Sequence, residues 1–283
     1  MNILTTQETH FKYNGIEFNK DLSNYDNLEH ITIICCVLNF NIHDQVYAKL
    51  PLVSLNLKEL ILIGIIGANF PDLSSLKNLE KIEIINPSGP PPVFNISGCT
   101  KLLHFKCLGH ISSDEYYIGP AIDVTHCLEL EYYHTRYSNP NLSTCKKLKH
   151  VDCRWYNGLE CLSSCSELQK LIINGRPPND LILSNCIHLK YIEINNMIGT
   201  YSHIAFQMPN ITNCKYLTHF KCYGNALLPD LTNCIHLKHF EYNGCYPLPD
   251  LSKCTELEYF DYKGSYPLPH LLKAKIIYNG IQL

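Results

Sequence analysis

The chain has 283 residues, 17% of them charged, with a formal net charge of −3 and an isoelectric point near 6.5. That balance excludes a strongly basic nucleic-acid binder and gives no case for a polyanionic surface as partner. No apolar run approaches the ~18 residues of a membrane helix, and no basic start leads into an apolar stretch, so neither a membrane span nor a signal peptide is expected.

One short frame accounts for most of the sequence. PDLTNCIHLKHFEYNG at 229–244 returns as PDLSKCTELEYFDYKG at 249–264, a shift of 20 residues. Self-similarity at a short fixed period is the signature of a solenoid. We number each copy from the place of Cys234 and Cys254, position 0. Leucine then stands at −3 and +3, phenylalanine at +6 and tyrosine at +8.

In chain order, THFKYNG at 9–15 aligns with KHFEYNG at 238–244 and predicts a degenerate opening strand within an N-terminal cap, 1–20. Eleven full copies follow over 21–264, with position 0 at Tyr25, Ser54, Leu76 and then cysteine at 99, 127, 145, 165, 186, 214, 234 and 254. Position +3 is leucine in all of them, from Leu28 to Leu257. KIIYNG at 275–280 is a shortened copy, so 265–283 reads as a truncated C-terminal cap. Atypical ends suit a solenoid, whose end coils have one neighbour each. The whole of 1–283 is expected to be one repeat domain.

Within a copy, +5 to +9 alternates with period 2 and predicts a strand with +6 and +8 inward. The stretch from −4 to +2, Asp-Leu-Ser/Thr-x-Cys, leaves room for one short 3₁₀ or α turn, which Asp and Ser/Thr can cap. Leu237, Phe240, Tyr242, Cys245 and Leu217, Phe220, Cys222, Asn225 together resemble the leucine-rich repeat family, over roughly 9–280. The resemblance implies an α/β solenoid. In it, a horseshoe of about 13 parallel strands lies on the concave face, with short 3₁₀ or α turns on the convex side. Only Asn225, Cys36 and Cys245 fit the last motif position, so the family's buried asparagine ladder must be largely absent and the backbone there needs other partners. The composition has three arginines against twenty lysines and nineteen tyrosines. It resembles the leucine-rich repeat proteins of AT-rich large DNA viruses (entomopoxviruses, giant amoebal viruses) or of some protists.

Fifteen cysteines would suit a disulfide scaffold, but the frame explains most of them. Eight occupy position 0 and three more, Cys107, Cys153 and Cys222, the inward +8 position. Free cysteine packs as a small hydrophobe, so reduced thiols in the cytoplasm are expected, the host cytoplasm if the chain is viral. The sequons at Asn95, Asn141 and Asn210 are the repeat's own Asp/Asn-Leu-Ser/Thr step.

Positions +5, +7 and +9 point outward on the strands. Ile34, Ile61, Ile63, Ile85 and Leu108 fall together on the early coils as an apolar patch, the kind of surface that marks an interaction site. A loop folding over them would explain them equally. Seven of fourteen histidines lie on outward positions, among them His104, His134 and His150 on consecutive coils and the pair His219 and His239. Tyr132, Tyr191, Tyr223 and Tyr259 add large rings on later coils, either as binding hot spots or simply as good strand residues. Three long copies carry extra residues at 35–51, 109–120 and 196–209, as binding loops or packed bulges.

No phosphate-cradling glycine loop and no G-x-S-x-G step occurs, so catalysis and a cofactor are not expected. The reading is a non-catalytic module that binds a partner protein, a host protein if the chain is viral, through the concave sheet. A small-ligand or metal site at His219 and His239 with Glu241 and Asp261 is the first alternative, although exposed rows on a flat sheet rarely close a zinc tetrahedron. A substrate-recruiting arm of a ubiquitin-ligase assembly is the second. It would need a helical segment for which 9–280 leaves no room.

Overall fold

The computed structural model describes residues 9–15, 27–35, 55–64, 72–86, 95–109, 122–136, 141–155, 160–179, 181–196, 205–264, 266–267, 275–278 and 281–282. Every described copy starts its strand at +5. The chain falls into two compact units, Met1–Cys145 and Lys146–Leu283. The first holds β1 His10–Gly15, β2 His30–Cys35, β3 Glu59–Ile63, β4 Lys81–Asn86, β5 His104–Gly109 and β6 Tyr132–Thr135. The second holds β7 His150–Trp155, β8 Lys170–Gly175, β9 Tyr191–Asn195, β10 Phe206–Gln207, β11 His219–Tyr223, β12 Ala226–Leu227, β13 His239–Asn243, β14 Tyr259–Lys263, β15 Lys275–Tyr278 and β16 Ile281–Gln282.

In the first unit β1 to β6 pair in sequence order, all parallel, with equal frame positions opposite one another. In the second, β7-β8-β9-β11-β13-β14-β15 do the same, and β16 turns back antiparallel on β15. Six parallel strands in one unit and seven in the other match the thirteen read from the sequence. The fold is the leucine-rich-repeat type of parallel solenoid.

Inward positions form continuous buried columns. The +6 column reads Ile192, Phe220, Phe240, Phe260 in the second unit, all fully buried, and the last three rings stack at 5.3 Å spacing. Leucines at +3 and residues at 0 and −3 fill the other half of each coil; Leu162, Cys165 and Leu168 show no exposure.

The turn side carries one short turn per copy, as expected, and of the 3₁₀ kind. The N–H at 0 donates to the carbonyl at −3, and the N–H at +3 to the carbonyl at 0, as in Cys99 to Ile96 (2.9 Å) and Leu102 to Cys99 (3.1 Å). Each bond closes one i→i+3 turn. The next N–H is already committed to the preceding coil, Leu103 to the Glu80 carbonyl at 2.9 Å, so the turn cannot propagate. Among the described residues one 3₁₀ helix forms, Glu160–Ser164. The expected caps are Asx turns: Oδ1 of Asp72, Asn95, Asp123, Asn141, Asn210, Asp230 and Asp250 accepts the N–H two residues on. The three sequon asparagines are thus members of this cap column.

Cysteine at 0 has a second use beyond its size. Its thiol donates to a carbonyl of the preceding coil, as from Cys99 to Leu73 at 3.4 Å, Cys145 to Val124 at 3.5 Å and Cys186 to Leu162 at 3.5 Å. Each of these carbonyls already accepts the N–H at 0 of its own coil, so the thiol adds a second hydrogen bond, between coils. Leucine could fill the space but not make that bond. Among the described residues twelve cysteines form no disulfide and eleven of them are buried, and burial pushes the thiols of Cys99, Cys127, Cys186, Cys214 and Cys234 up to about 12.

At the bend after the strand, tyrosine replaces the missing asparagine ladder. The Tyr242 hydroxyl donates to the Ala226 carbonyl at 3.0 Å and accepts from the Tyr246 N–H at 3.1 Å. Tyr262 accepts from the Tyr266 N–H at 3.0 Å. The hydroxyl reaches the bend because +10 is glycine: a Cβ on Gly244 would lie 2.4 Å from the Gly224 carbonyl oxygen and 2.5 Å from the Tyr242 hydroxyl. Asn225 and Cys245 instead form a surface pair, with the thiol 2.7 Å from Oδ1.

Of the three long copies, 36–51 and 110–120 lie outside the described residues, as do Tyr201 and His203 of the third. The end of the third is packed: Phe206 and Met208 are buried, and β10 pairs with β12 in parallel. In the terminal caps only 9–15, 266–267, 275–278 and 281–282 are described.

Candidate interaction face of the sheet

Alternation along each strand puts +5, +7 and +9 on the open face, where they are half-buried against one another. In the second unit the +5 column is a continuous aromatic stack. Tyr191 stacks on His219 (5.7 Å), His219 on His239 (5.4 Å) and His239 on Tyr259 (4.1 Å). The Lys170 ammonium caps this stack, 4.9 Å from the Tyr191 ring centre. In-register pairing causes this: His219 lies opposite Tyr191 although 28 residues separate them in sequence. The ring faces are used up by one another, so the column offers a partner ring edges, hydroxyls and imidazole nitrogens. It is not a platform for stacking a base or a sugar.

Beside the stack, the +7 column runs Asp152, Ile172, Glu193, Lys221, Glu241, Asp261. Glu241 is its hub. It meets the Lys221 ammonium at 2.8 Å and His239 Nε2 at 2.5 Å, and accepts the Tyr223 hydroxyl. Burial alone would raise this carboxyl. The hydrogen bonds from Lys221, Tyr223 and His239 outweigh it and hold the carboxyl at about 2. Tyr191 donates to Glu193 in the same way, and the Asn174 amide to Asp152 at 3.1 Å. Both tyrosine hydroxyls are held far above their ordinary range, first by burial and then by the carboxylate each one bonds. His219 is pushed down by burial and by His239 next to it. Asp261 is pushed up by burial, and its Oδ1 has no hydrogen-bond partner.

In the first unit, Ile34, Ile63, Ile85 and Leu108 stand opposite one another along +9. Ile61 lies one column over, opposite Glu83. All five are half-buried rather than fully exposed. A polar row flanks them: His30 meets Glu59 at 3.3 Å, and both Lys81 and His104 meet Glu83, at 3.3 and 3.2 Å. His104 stacks on Tyr132 at 4.1 Å, and burial lowers its tendency to protonate. His134 is in the +7 column, opposite Lys106. His150 opens β7 of the second unit, opposite Lys170.

The sequence singled out the four tyrosines and the histidines, and of these Tyr191, His219, Tyr223, His239 and Tyr259 converge on one patch. It gave no weight to Glu193 and Lys221, and it named Glu241 only for the alternative metal site; these three are the charges that organise the patch. The signal for them was the period itself, because +7 of successive copies must abut. His219 and His239 do not converge on a point, since stacked rings hold their nitrogens in parallel planes. Among the described residues no group of three or more His, Cys, Asp or Glu side chains is placed to hold a metal ion. No helix among them is long and apolar enough to cross a membrane.

The chain is similar to the functional domain of InlJ from Listeria monocytogenes, which includes a cysteine ladder. Identity is 14% and the TM-score 0.58, over 96% of this chain and 60% of that one. It is also similar to the internalin InlF from Listeria monocytogenes strain 4b F2365 (10% identity, TM-score 0.56, 97% of this chain and 78% of that one). A third similar structure is the LRR protein LIC12759 of Leptospira interrogans (12%, 0.51, 92% and 70%). The chain thus spans about 60% of the length of the InlJ domain. No family model and no curated protein matches it.

Proposed function

We infer that this chain is a non-catalytic module that binds a partner protein through the open face of its parallel sheet, with the second unit as the principal contact. The observation that carries this is the patch of Tyr191, His219, Tyr223, His239 and Tyr259 around Glu241. Its rings are locked by stacking and by hydroxyl–carboxylate bonds. Large side chains already held in one conformation lose little entropy when a partner covers them. The apolar row of Ile34, Ile63, Ile85 and Leu108, with Ile61 beside it, is a second contact zone of the same kind. The thiol column, which donates hydrogen bonds only while reduced, supports a reducing, cytoplasmic location. The lysine- and tyrosine-rich, arginine-poor composition supports an AT-rich viral source and therefore a host protein as partner.

The test is quantitative affinity capture from a candidate host-cell extract. It compares wild type with Tyr191→Ala/Tyr223→Ala, with Ile61→Lys/Ile85→Lys, and with the turn-side variant Glu256→Gln. Specific partners should be lost with the first variant, reduced with the second and kept with the third. Equal recovery of every partner by all four proteins would refute the assignment to the sheet face.

A further inference from the structure

One carboxylate on this face has no donor. Along the +7 column of the second unit Asp152 takes the Asn174 amide, Glu193 the Tyr191 hydroxyl, and Glu241 the Lys221, Tyr223 and His239 donors. Asp261, opposite Glu241 on the next strand, has its Oδ1 buried without a hydrogen bond. The cations nearby do not serve it. Lys221 is 2.8 Å from Glu241, and Lys263, two residues on, is exposed and does not hydrogen-bond that oxygen. Burial raises this carboxyl, and the Glu241 charge raises it further against the opposing pull of Lys263 and His239. An ionised carboxylate taken out of water needs a charged or hydrogen-bonding partner to offset its lost hydration.

We propose that Asp261 is the seat of a lysine or arginine side chain carried by an extended segment of the partner protein, lying across β13 and β14. This rests on the reading of the sheet face as the binding surface. Charge complementarity selects the occupant. A carboxylate only accepts, and the strongest donors to it are ammonium and guanidinium groups. The stacked rings of His239 and Tyr259, 4.1 Å apart in the flanking column, form a wall along which the aliphatic stem of such a side chain lies. The saturated Glu241 next to it adds negative potential without competing for donors. An extended segment suits the geometry, because side chains at +7 of adjacent strands repeat at roughly 4.8 Å in an even row.

A displayed library of 12-residue peptides, selected on the full chain and on Asp261→Asn, tests this. Glu258→Gln removes the same charge from an exposed position of the same coil and serves as control. Wild type and Glu258→Gln should both enrich lysine or arginine at one fixed place in the selected peptides, and Asp261→Asn should lose that enrichment. A selected peptide, synthesised and titrated by fluorescence anisotropy, should bind Asp261→Asn about tenfold more weakly, with circular dichroism showing the variant folded. Peptides selected without lysine or arginine, or enrichment that survives in Asp261→Asn, overturn the proposal and leave the sheet-face reading intact. Peptides whose binding is also indifferent to Tyr191→Ala/Tyr223→Ala overturn both.

Discussion

Replacing Glu241 with glutamine should weaken the second unit at neutral pH and far less in acid. The carboxyl is 14% exposed and is held at about 2, against 4.5 for a free glutamate, by Lys221, Tyr223 and His239. A shift of this size corresponds to about 3 kcal/mol at roughly 1.4 kcal/mol per pH unit. The folded pKa is depressed, so the native state binds fewer protons than the unfolded chain between the two values. The stabilisation is therefore full above about pH 4.5 and is lost as pH falls towards about 2. Glutamine keeps one acceptor oxygen but leaves the Lys221 ammonium without a counter-charge, so about 2–3 kcal/mol of the effect should appear in the variant at pH 7. Urea unfolding followed by the fluorescence of the single tryptophan, Trp155 in β7 of the same unit, measures it. The difference between wild type and Glu241→Gln should be large at pH 7 and fall to about 1 kcal/mol or less near pH 2.5. An equal difference at both values would mean that the charge contributes nothing and that only shape was lost.

Gly244→Ala should destabilise by about 2 kcal/mol or more, since the new Cβ meets a carbonyl oxygen and the Tyr242 hydroxyl at sub-contact distance. In Tyr242→Phe/Gly244→Ala most of the penalty should persist in the denaturant midpoints, because the Gly224 carbonyl oxygen at 2.4 Å and the ring Cε2 at 2.6 Å remain in the way. Iodoacetamide at pH 7.5, read by peptide mass spectrometry, should label Cys245 within minutes and leave Cys186, Cys214 and Cys234 untouched until urea is added. Those three are buried with thiols held at about 12, whereas Cys245 is exposed. Rapid labelling of the buried column in native buffer would contradict the thiol spine.

Much of the fold was legible because each coil is locally self-sufficient. Period-2 alternation places the strand at +5, the Asx cap fixes the turn, and leucine at +3 closes the coil. The bend was not legible. Tyr242 at +8 looked like one more buried ring, and its hydroxyl serves the backbone only because Gly244 lets it pass. The single short turn per copy was read from the spacing, but not what stops it, because the spacing alone does not reveal that the N–H after +3 is taken by the preceding coil.

For the site, the sequence determined which side chains face outward and in which column, because strand alternation is a local property. Tertiary structure decided how those columns interact. Register across insertions of unequal length sets Tyr191, His219, His239 and Tyr259 face to face. It also gives Glu241 three donors and leaves Asp261 with an unmatched oxygen. Hydrogen bonds and desolvation act over a few ångströms in space, and no distance along the chain encodes that.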